Sequence, residues 1–388
     1  RLPPDITFHK TMITPDVKKG TMKAAQGIEL GDIDAMLMVD DNVLMPDLND
    51  LPPKQRKKKM IIQTKAAVLA CGDCRVLSGK TRKFQGPPSF PYIPGGDCSG
   101  IVWQIPPEAA EDPEYPFKVG DRVAARFSEG PRGALAEYAI IDITVCEKIP
   151  ENLSFEEGAI LASVSPATVL AEQIQEGERV LIMGAGGGVG SHTCQIMRKK
   201  GASYLVGSGL ATDRLLQEPL KYDEAINYSE QDPFSIQKYK DEPFDVVVDL
   251  AGGSWLRLME DRNNKVNSVV KPASEGGRYL TLTPDEALFE AHSLMGILKP
   301  FLFFPLWRAI KSRLWGRKSM PKYSFAHSLE FERTHLTRTM NMAQAGTLKA
   351  CMDSRGPFPF TTEGVRKAFR LQETRHINGK VVVQVQKA

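Results

Sequence analysis

"RVLIMGAGGGVGSHTCQIM", residues 179–197, decides the architecture. An apolar strand pattern runs into five glycines between 184 and 190, and a stretch with helical spacing follows. Such a turn gathers the N–H groups and the positive dipole end of the new helix. Glycine leaves room there for a dinucleotide pyrophosphate to approach the main chain, where a Cβ would collide. The spacing is Ala185-x-Gly187-x-x-Gly190, with Ala in the first Gly position. Ala185, Gly187, Gly188, Val189 and Gly190 are therefore the expected cofactor-binding positions of this turn.

Working outward, "SYLVGS", "FDVVVDL" and "GRYLTL" are further apolar runs separated by helical or loop segments. Apolar strands alternating with helices predict an α/β fold whose parallel sheet is covered on both faces. The second strand ends at Ser208 with no acid to hold a ribose hydroxyl, and Arg214 follows. A hydroxyl and a cation suit the 2′-phosphate of NADPH, although Asp213 sits beside Arg214. Gly252 and Gly253 follow the strand "FDVVVDL", where close backbone approach to a ribose is their natural use. Leu280, in "GGRYLTLT", is expected beside the nicotinamide. Lys380, in "NGKVVV", is a candidate to reach the cofactor, with a surface lysine as the plainer reading.

Before this region the pattern differs. "MKAAQGIEL", "AMLMVDDNVLMP", "MIIQTKAAVLAC", "SGIVWQI", "GDRVAARF" and "LAEYAII" read as short strands punctuated by Gly and Pro, as in a β-rich barrel. "FEEGAILASVSPATVLAEQI" and "EFERTHLTRTMNMAQAG" have helical spacing, and "GKVVVQVQ" is a final strand. The division expected is an N-terminal extension (1–21), a β-rich domain (22–160), a dinucleotide-binding domain (161–327) and a C-terminal segment (328–388).

The 388 residues are 42% hydrophobic and 25% charged, enough for about two domains with a large core. A net charge of +3 gives no ground for a nucleic-acid partner. Six scattered cysteines are not a secreted disulfide framework and imply a reducing compartment. "GILKPFLFFPLWRAIKSRLWG", 296–316, is rich in aromatic and basic residues. With Pro300, Pro305 and four cations inside it, it is not a bilayer span. Within it, 298–315 has two readings: a helical insertion packed on the nucleotide domain or a partner subunit, or a lid or membrane-surface element that admits a lipophilic quinone.

The order of "MKAA", "YIPGGDCSGIV", "FKVGDRVAA", "GALAEYAII", "GAGGGVG" and "INGKVVVQV" resembles the medium-chain dehydrogenase/reductase superfamily. The resemblance implies a GroES-like β-barrel catalytic domain, a Rossmann domain and a C-terminal segment that returns to the catalytic domain. Within the superfamily the chain looks most like the zinc-free quinone oxidoreductases, and among these the mitochondrial reticulon-4-interacting-protein-like group. That branch implies NADPH, with Tyr228 of "AINYSEQD" near the adenosine phosphate. It also suggests a mitochondrial location, with which a start at Arg1 rather than Met is compatible; plastid and cytoplasm are the alternatives.

"ACGDCRVLSG", residues 70–79, is read as a turn and bears on metal. Zinc members carry a Cys in this turn, a His in a "GHE" element and a second Cys before the Rossmann strand, as a catalytic zinc needs three protein ligands. Here Cys74 fits the first, Gly96 stands at the second, and 160–170 holds no Cys. Cys74 is then expected as a thiol lining the cleft, with no metal. The remaining alternative set is Cys71, Cys74, Asp97 and Cys98. Zinc-free members usually carry Asn in this turn, where this chain has Cys74 and Arg75.

Without a metal, the expected reaction is hydride transfer to a quinone or enone, and the developing oxyanion needs a donor. Arg75 is the first candidate, with Tyr92 and Thr168 as secondary donors and Asp97 as the group that orients Arg75. Each has a plain structural alternative: a surface ion pair, packing, a helix-shaping hydroxyl and a turn cap. Two other classes stay open, a non-catalytic nucleotide-binding subunit of a larger assembly and a zinc alcohol dehydrogenase. A homodimer is a further expectation.

Overall fold

The structure is a computed structural model that describes residues 20–387 apart from 83–88, 111, 127–132, 287–288, 292, 315 and 327–332. Most of the extension 1–21 and the boundary at 327/328 lie outside the described residues. The first lobe carries β1 (Thr21–Gly27), β2 (Leu37–Leu44), β3 (Lys59–Leu69), β4 (Asp97–Gln104), β5 (Arg122–Arg126), β6 (Tyr138–Asp142) and β7 (Cys146–Lys148). β1 and β2 pair antiparallel, and β3 is the spine of the larger sheet, pairing with both β4 and β6.

β3 explains why this lobe holds two cores. Side chains alternate across a strand, and in β3 both faces are buried. Ala67 and Leu69 join a barrel cluster with Cys98 and Phe117, whereas Ala66 and Val68 face a second cluster shared with the other lobe.

Helix Phe155–Ser163 follows β7. Its start is set by a capping box, in which the Ser154 hydroxyl accepts from Glu157 N–H and the Glu157 carboxylate accepts from Ser154 N–H. The next helix, Pro166–Glu172, begins anew because Pro166 has no N–H to continue the first. The boundary expected at 160/161 falls inside the first of these helices, which packs on β3, β4 and β5.

The second lobe is a six-stranded parallel sheet of β8 (Arg179–Met183), β9 (Tyr204–Ser208), β10 (Glu224–Ile226), β11 (Val246–Asp249), β12 (Arg278–Thr281) and β13 (Lys322–Phe325). Its order is β10-β9-β8-β11-β12-β13, so the chain direction switches between β8 and β11. In a doubly wound sheet, ligands bind at that switch point, outside the carboxyl ends of the strands. β14 (Phe358–Pro359) and β15 (Val381–Gln384) then return to the first lobe, where β15 pairs with β3. The architecture is the expected one: a GroES-like sheet, a Rossmann sheet and a returning C-terminal segment.

Candidate active site

The glycine turn lies between β8 and helix Gly190–Lys199, at the switch point. A Cβ on Gly190 would stand 2.4 Å from the Gly184 carbonyl oxygen, so glycine is required for the helix to start this close to its strand. Gly187 is open, with nothing nearer than 3.4 Å to a Cβ. Ala185 is accommodated because the neighbouring strand has Gly207 opposite it: a Cβ there would meet the Ala185 methyl at 2.9 Å. The open crest at Gly187 and the N-terminal turn of a ten-residue helix fit a dinucleotide pyrophosphate.

Among the groups that bind the turn to the rest of the protein, three are side chains or main chain from outside the strands. Arg214 donates to the Gly186 carbonyl at 3.3 Å. The Gly379 N–H donates to the same carbonyl at 2.9 Å, which ties the C-terminal segment to the turn. His192, absent from the sequence-based candidates, is the third. Its Nδ1 lies 2.6 Å from the Gly188 carbonyl, and Cys351 N–H donates to its Nε2 at 3.0 Å. A carbonyl only accepts and an N–H only donates, so the ring is neutral with its proton on Nδ1. Burial pushes the His192 pKa from 6.5 down to about 4, with Lys380 and Arg214 adding to the effect.

Lys380 is not a surface lysine. It is 8% exposed, and its aliphatic stem lies against Gly188. Burial pushes its ammonium pKa down, while Asp97, Cys71 and Asp73 pull it back up and Arg126 reinforces the fall. A buried cation is thus held between the glycine turn and the acidic end of the first lobe.

Other candidates are placed differently from expectation. The stretch 71–77 is a helix, Cys71–Leu77, because the Asp73 carboxylate at its third position accepts from Ala70 N–H and closes the first turn. On that helix Cys74 points into the barrel core and donates to the Phe369 carbonyl at 3.7 Å; burial raises its thiol pKa, so it is a core thiol and does not line the cleft. Arg75, the next residue and about 100° further round the helix, has its guanidinium 5.3 Å from the Phe289 ring. Asp97 does not pair with Arg75: it faces Arg126 across the β4–β5 ladder, and the side chains meet at 3.9 Å. Tyr92 packs against Gly27 and Leu77 in the barrel core, and its buried hydroxyl has no hydrogen-bond partner among the described residues.

Thr168 donates to the Ser165 carbonyl at 2.7 Å and borders a surface pocket with Ile196 and Lys199. Those residues lie toward the far end of helix Gly190–Lys199, so Thr168 is remote from the turn. Leu280 is a core residue, because β12 is covered on both faces and only its end reaches the cleft. The residue at that end is Thr281, whose hydroxyl donates to the Asp249 carbonyl. Ser208 is fully buried, and its carbonyl accepts from the N–H groups of Gly184 and Ala185. Tyr228 stands 46% exposed after β10. Gly252 and Gly253 have φ of +90° and +92°, and Asp249, also missed from sequence, accepts from Ala251, Gly252 and Ser254 N–H to hold that bend. Among the described residues no three His, Cys, Asp or Glu side chains are grouped to hold a metal ion.

A GroES-like sheet joined to a Rossmann sheet with a glycine turn at its switch point defines a two-lobed dinucleotide-binding protein. Residues 56–151 match the family described as "Alcohol dehydrogenase GroES-like domain", and residues 220–383 match "Zinc-binding dehydrogenase". The chain belongs to the medium-chain dehydrogenase/reductase superfamily. It is 26% identical over 372 residues to the chloroplastic NADPH-dependent alkenal/one oxidoreductase of Arabidopsis thaliana, covering 93% of this chain and 79% of the relative. It is 26% identical to the quinone oxidoreductase of Mus musculus, covering 71% of this chain and 80% of that one. The crystal structure of the Pseudomonas syringae quinone oxidoreductase superposes with a TM-score of 0.68 at 22% identity, covering 94% of this chain and 99% of that one.

Proposed function

We propose that this protein is an NADPH-dependent, metal-independent oxidoreductase that reduces a quinone or an activated carbon–carbon double bond. The observation that carries this reading is Arg214 on the glycine turn, with no acid at the end of β9. An acid there would hold ribose hydroxyls; a cation there suits a 2′-phosphate. Gly187 to Gly190 would hold the pyrophosphate, the bend at Gly252 and Gly253 would take the ribose, and Tyr228 would flank the adenosine. NADPH supplies a hydride when bound.

The protein's own part is to carry the oxyanion of the reduced acceptor. Asp97 and Cys71 lie close enough to Lys380 to pull its pKa back up, and Arg75 is one turn from Cys71 on the same helix, so the two cations would flank the helix beside the turn. Either provides the positive charge that a metal provides in zinc members. The names of the curated relatives support quinones and enones as the acceptor class, and those that print a location support a plastid.

NADPH oxidation in the presence of a chelator, with a quinone and with an enone, tests this. The expected result is chelator-insensitive turnover, much weaker with NADH, and a cofactor preference that narrows in Arg214→Ala. Turnover that appears only with added zinc would refute it. Saturable NADPH binding with no turnover would favour the nucleotide-binding-subunit reading.

A further inference from the structure

The stretch 294–314 is one unbroken helical run: Leu294–Leu298, a wider π-turn Lys299–Phe303, and Phe304–Leu314. The π-turn contains Pro300 and is followed by Pro305, and their missing N–H groups disturb the regular ladder. The amphipathicity of the last helix is inverted. Its inward positions are Pro305, Arg308, Ala309 and Ser312; Ala309 packs on the apolar core of the sheet, and Arg308 and Ser312 add polar contacts. Arg308 clamps the Asp285 carboxylate with two hydrogen bonds of 2.8 and 2.6 Å, and the Ser312 hydroxyl accepts from Tyr323 N–H. Phe303, Trp307, Ile310 and Leu314 recur at helical spacing on the outer face; Trp307 is 56% and Leu314 67% exposed. A helix that only packed on the Rossmann lobe would bury this stripe.

Charge distinguishes the occupants of this face. From 291 to 329 there are seven Lys or Arg residues and no Asp or Glu, so the rest of the chain is net negative. Lys311 and Arg313 flank the apolar stripe, and Arg317 and Lys318 follow it. Lys318 also lines a 390 Å³ pocket with Lys240, Arg262 and Lys265, and no acid borders that pocket. A second copy of the chain meeting this face two-fold would set the same cations against each other. An anionic lipid surface accepts both the cations and the apolar stripe, and Trp suits the headgroup depth. No described helix is long and apolar enough to cross a membrane, which leaves seating in the interface plane.

We propose that the face carrying Phe303, Trp307, Ile310 and Leu314 seats this protein on the headgroup layer of an anionic bilayer. The root of the run abuts the candidate site, because Phe301 packs on Phe289 at 5.1 Å and Phe289 lies under Arg75.

Co-sedimentation of the full chain with phosphatidylcholine vesicles, with and without phosphatidylglycerol, tests this without reference to catalysis. Binding is expected only when phosphatidylglycerol is present and should weaken with salt. Trp307→Glu should lower the partition about tenfold or more, and Lys311→Glu with Arg313→Glu should abolish the preference for anionic lipid. All three substituted side chains reach the surface, and an unchanged circular dichroism spectrum and melting temperature check that each of the two variants is folded. Failure to sediment with anionic vesicles would overturn the proposal. So would binding indifferent to these substitutions, or a dimer that Trp307→Glu splits while vesicle binding is absent.

Discussion

At the scale of single residues, the buried cation and the buried imidazole make opposite kinds of statement. Lys380 bears a desolvation cost and no hydrophobic gain from its ammonium, as a charge placed for chemistry would. Lys380→Met keeps the stem against Gly188 and removes the charge. Its melting temperature should equal or exceed that of the parent, while kcat/KM for the acceptor falls at least about tenfold; a variant that loses stability and keeps its activity would place Lys380 in the framework alone. His192 has a structural role. In the unfolded chain it takes up a proton below pH 6.5, whereas the folded ring resists protonation down to about 4. The unfolded state therefore binds more protons across that window, so stability is full above 6.5 and falls as pH drops, by about 3 kcal/mol at the limit. His192→Gln can keep both hydrogen bonds without titrating. Thermal melts of the two proteins should diverge below pH 6.5, with the parent showing the steeper decline.

At the scale of elements, the glycine turn is governed by clearance. Gly190→Ala would drive a methyl into the Gly184 and Ala185 carbonyls. It should cost about 2 kcal/mol or more and abolish the thermal shift that NADPH produces. Ala185→Gly, in contrast, should leave that shift nearly unchanged, since Gly207 already makes room for the methyl. The insertion shows the limit of periodicity as a guide. Its spacing announces an amphipathic helix, and the usual inference sends the apolar stripe inward. The polar clamps of Arg308 and Ser312 turn it outward.

At the scale of the whole molecule, the lobes share a core. One apolar cluster runs from Ala66, Val68 and Ala124 of the first sheet, through Phe155 and Ile160, to Val180, Val246 and Val382. The C-terminal segment adds backbone ties on both sides, with Gly379 on the turn and β15 on β3. Unfolding of the two sheets should therefore be coupled. Val382→Ala, fully buried in that cluster, is expected to cost about 2 kcal/mol and to shift melting followed by far-ultraviolet circular dichroism and by intrinsic fluorescence to the same extent. Separate transitions for the two probes would argue for independent lobes.

What was legible in the sequence rests on local rules. Strand alternation, the strand–glycine–helix succession and the chain order of the two lobes follow from short-range sterics and from the two side-chain periods. They were enough for the architecture, for the glycine turn and for Arg214 beside it. What only the tertiary structure decided depends on contacts between residues far apart in the chain. Lys380 is buried because the segment carrying it folds back on the turn from nearly 200 residues away. Cys74 faces Phe369, Asp97 faces Arg126, and His192 is locked by Cys351. Burial and partner choice, which set the pKa and the reach of each side chain, are properties of the packed chain, and no local pattern in the sequence encodes them.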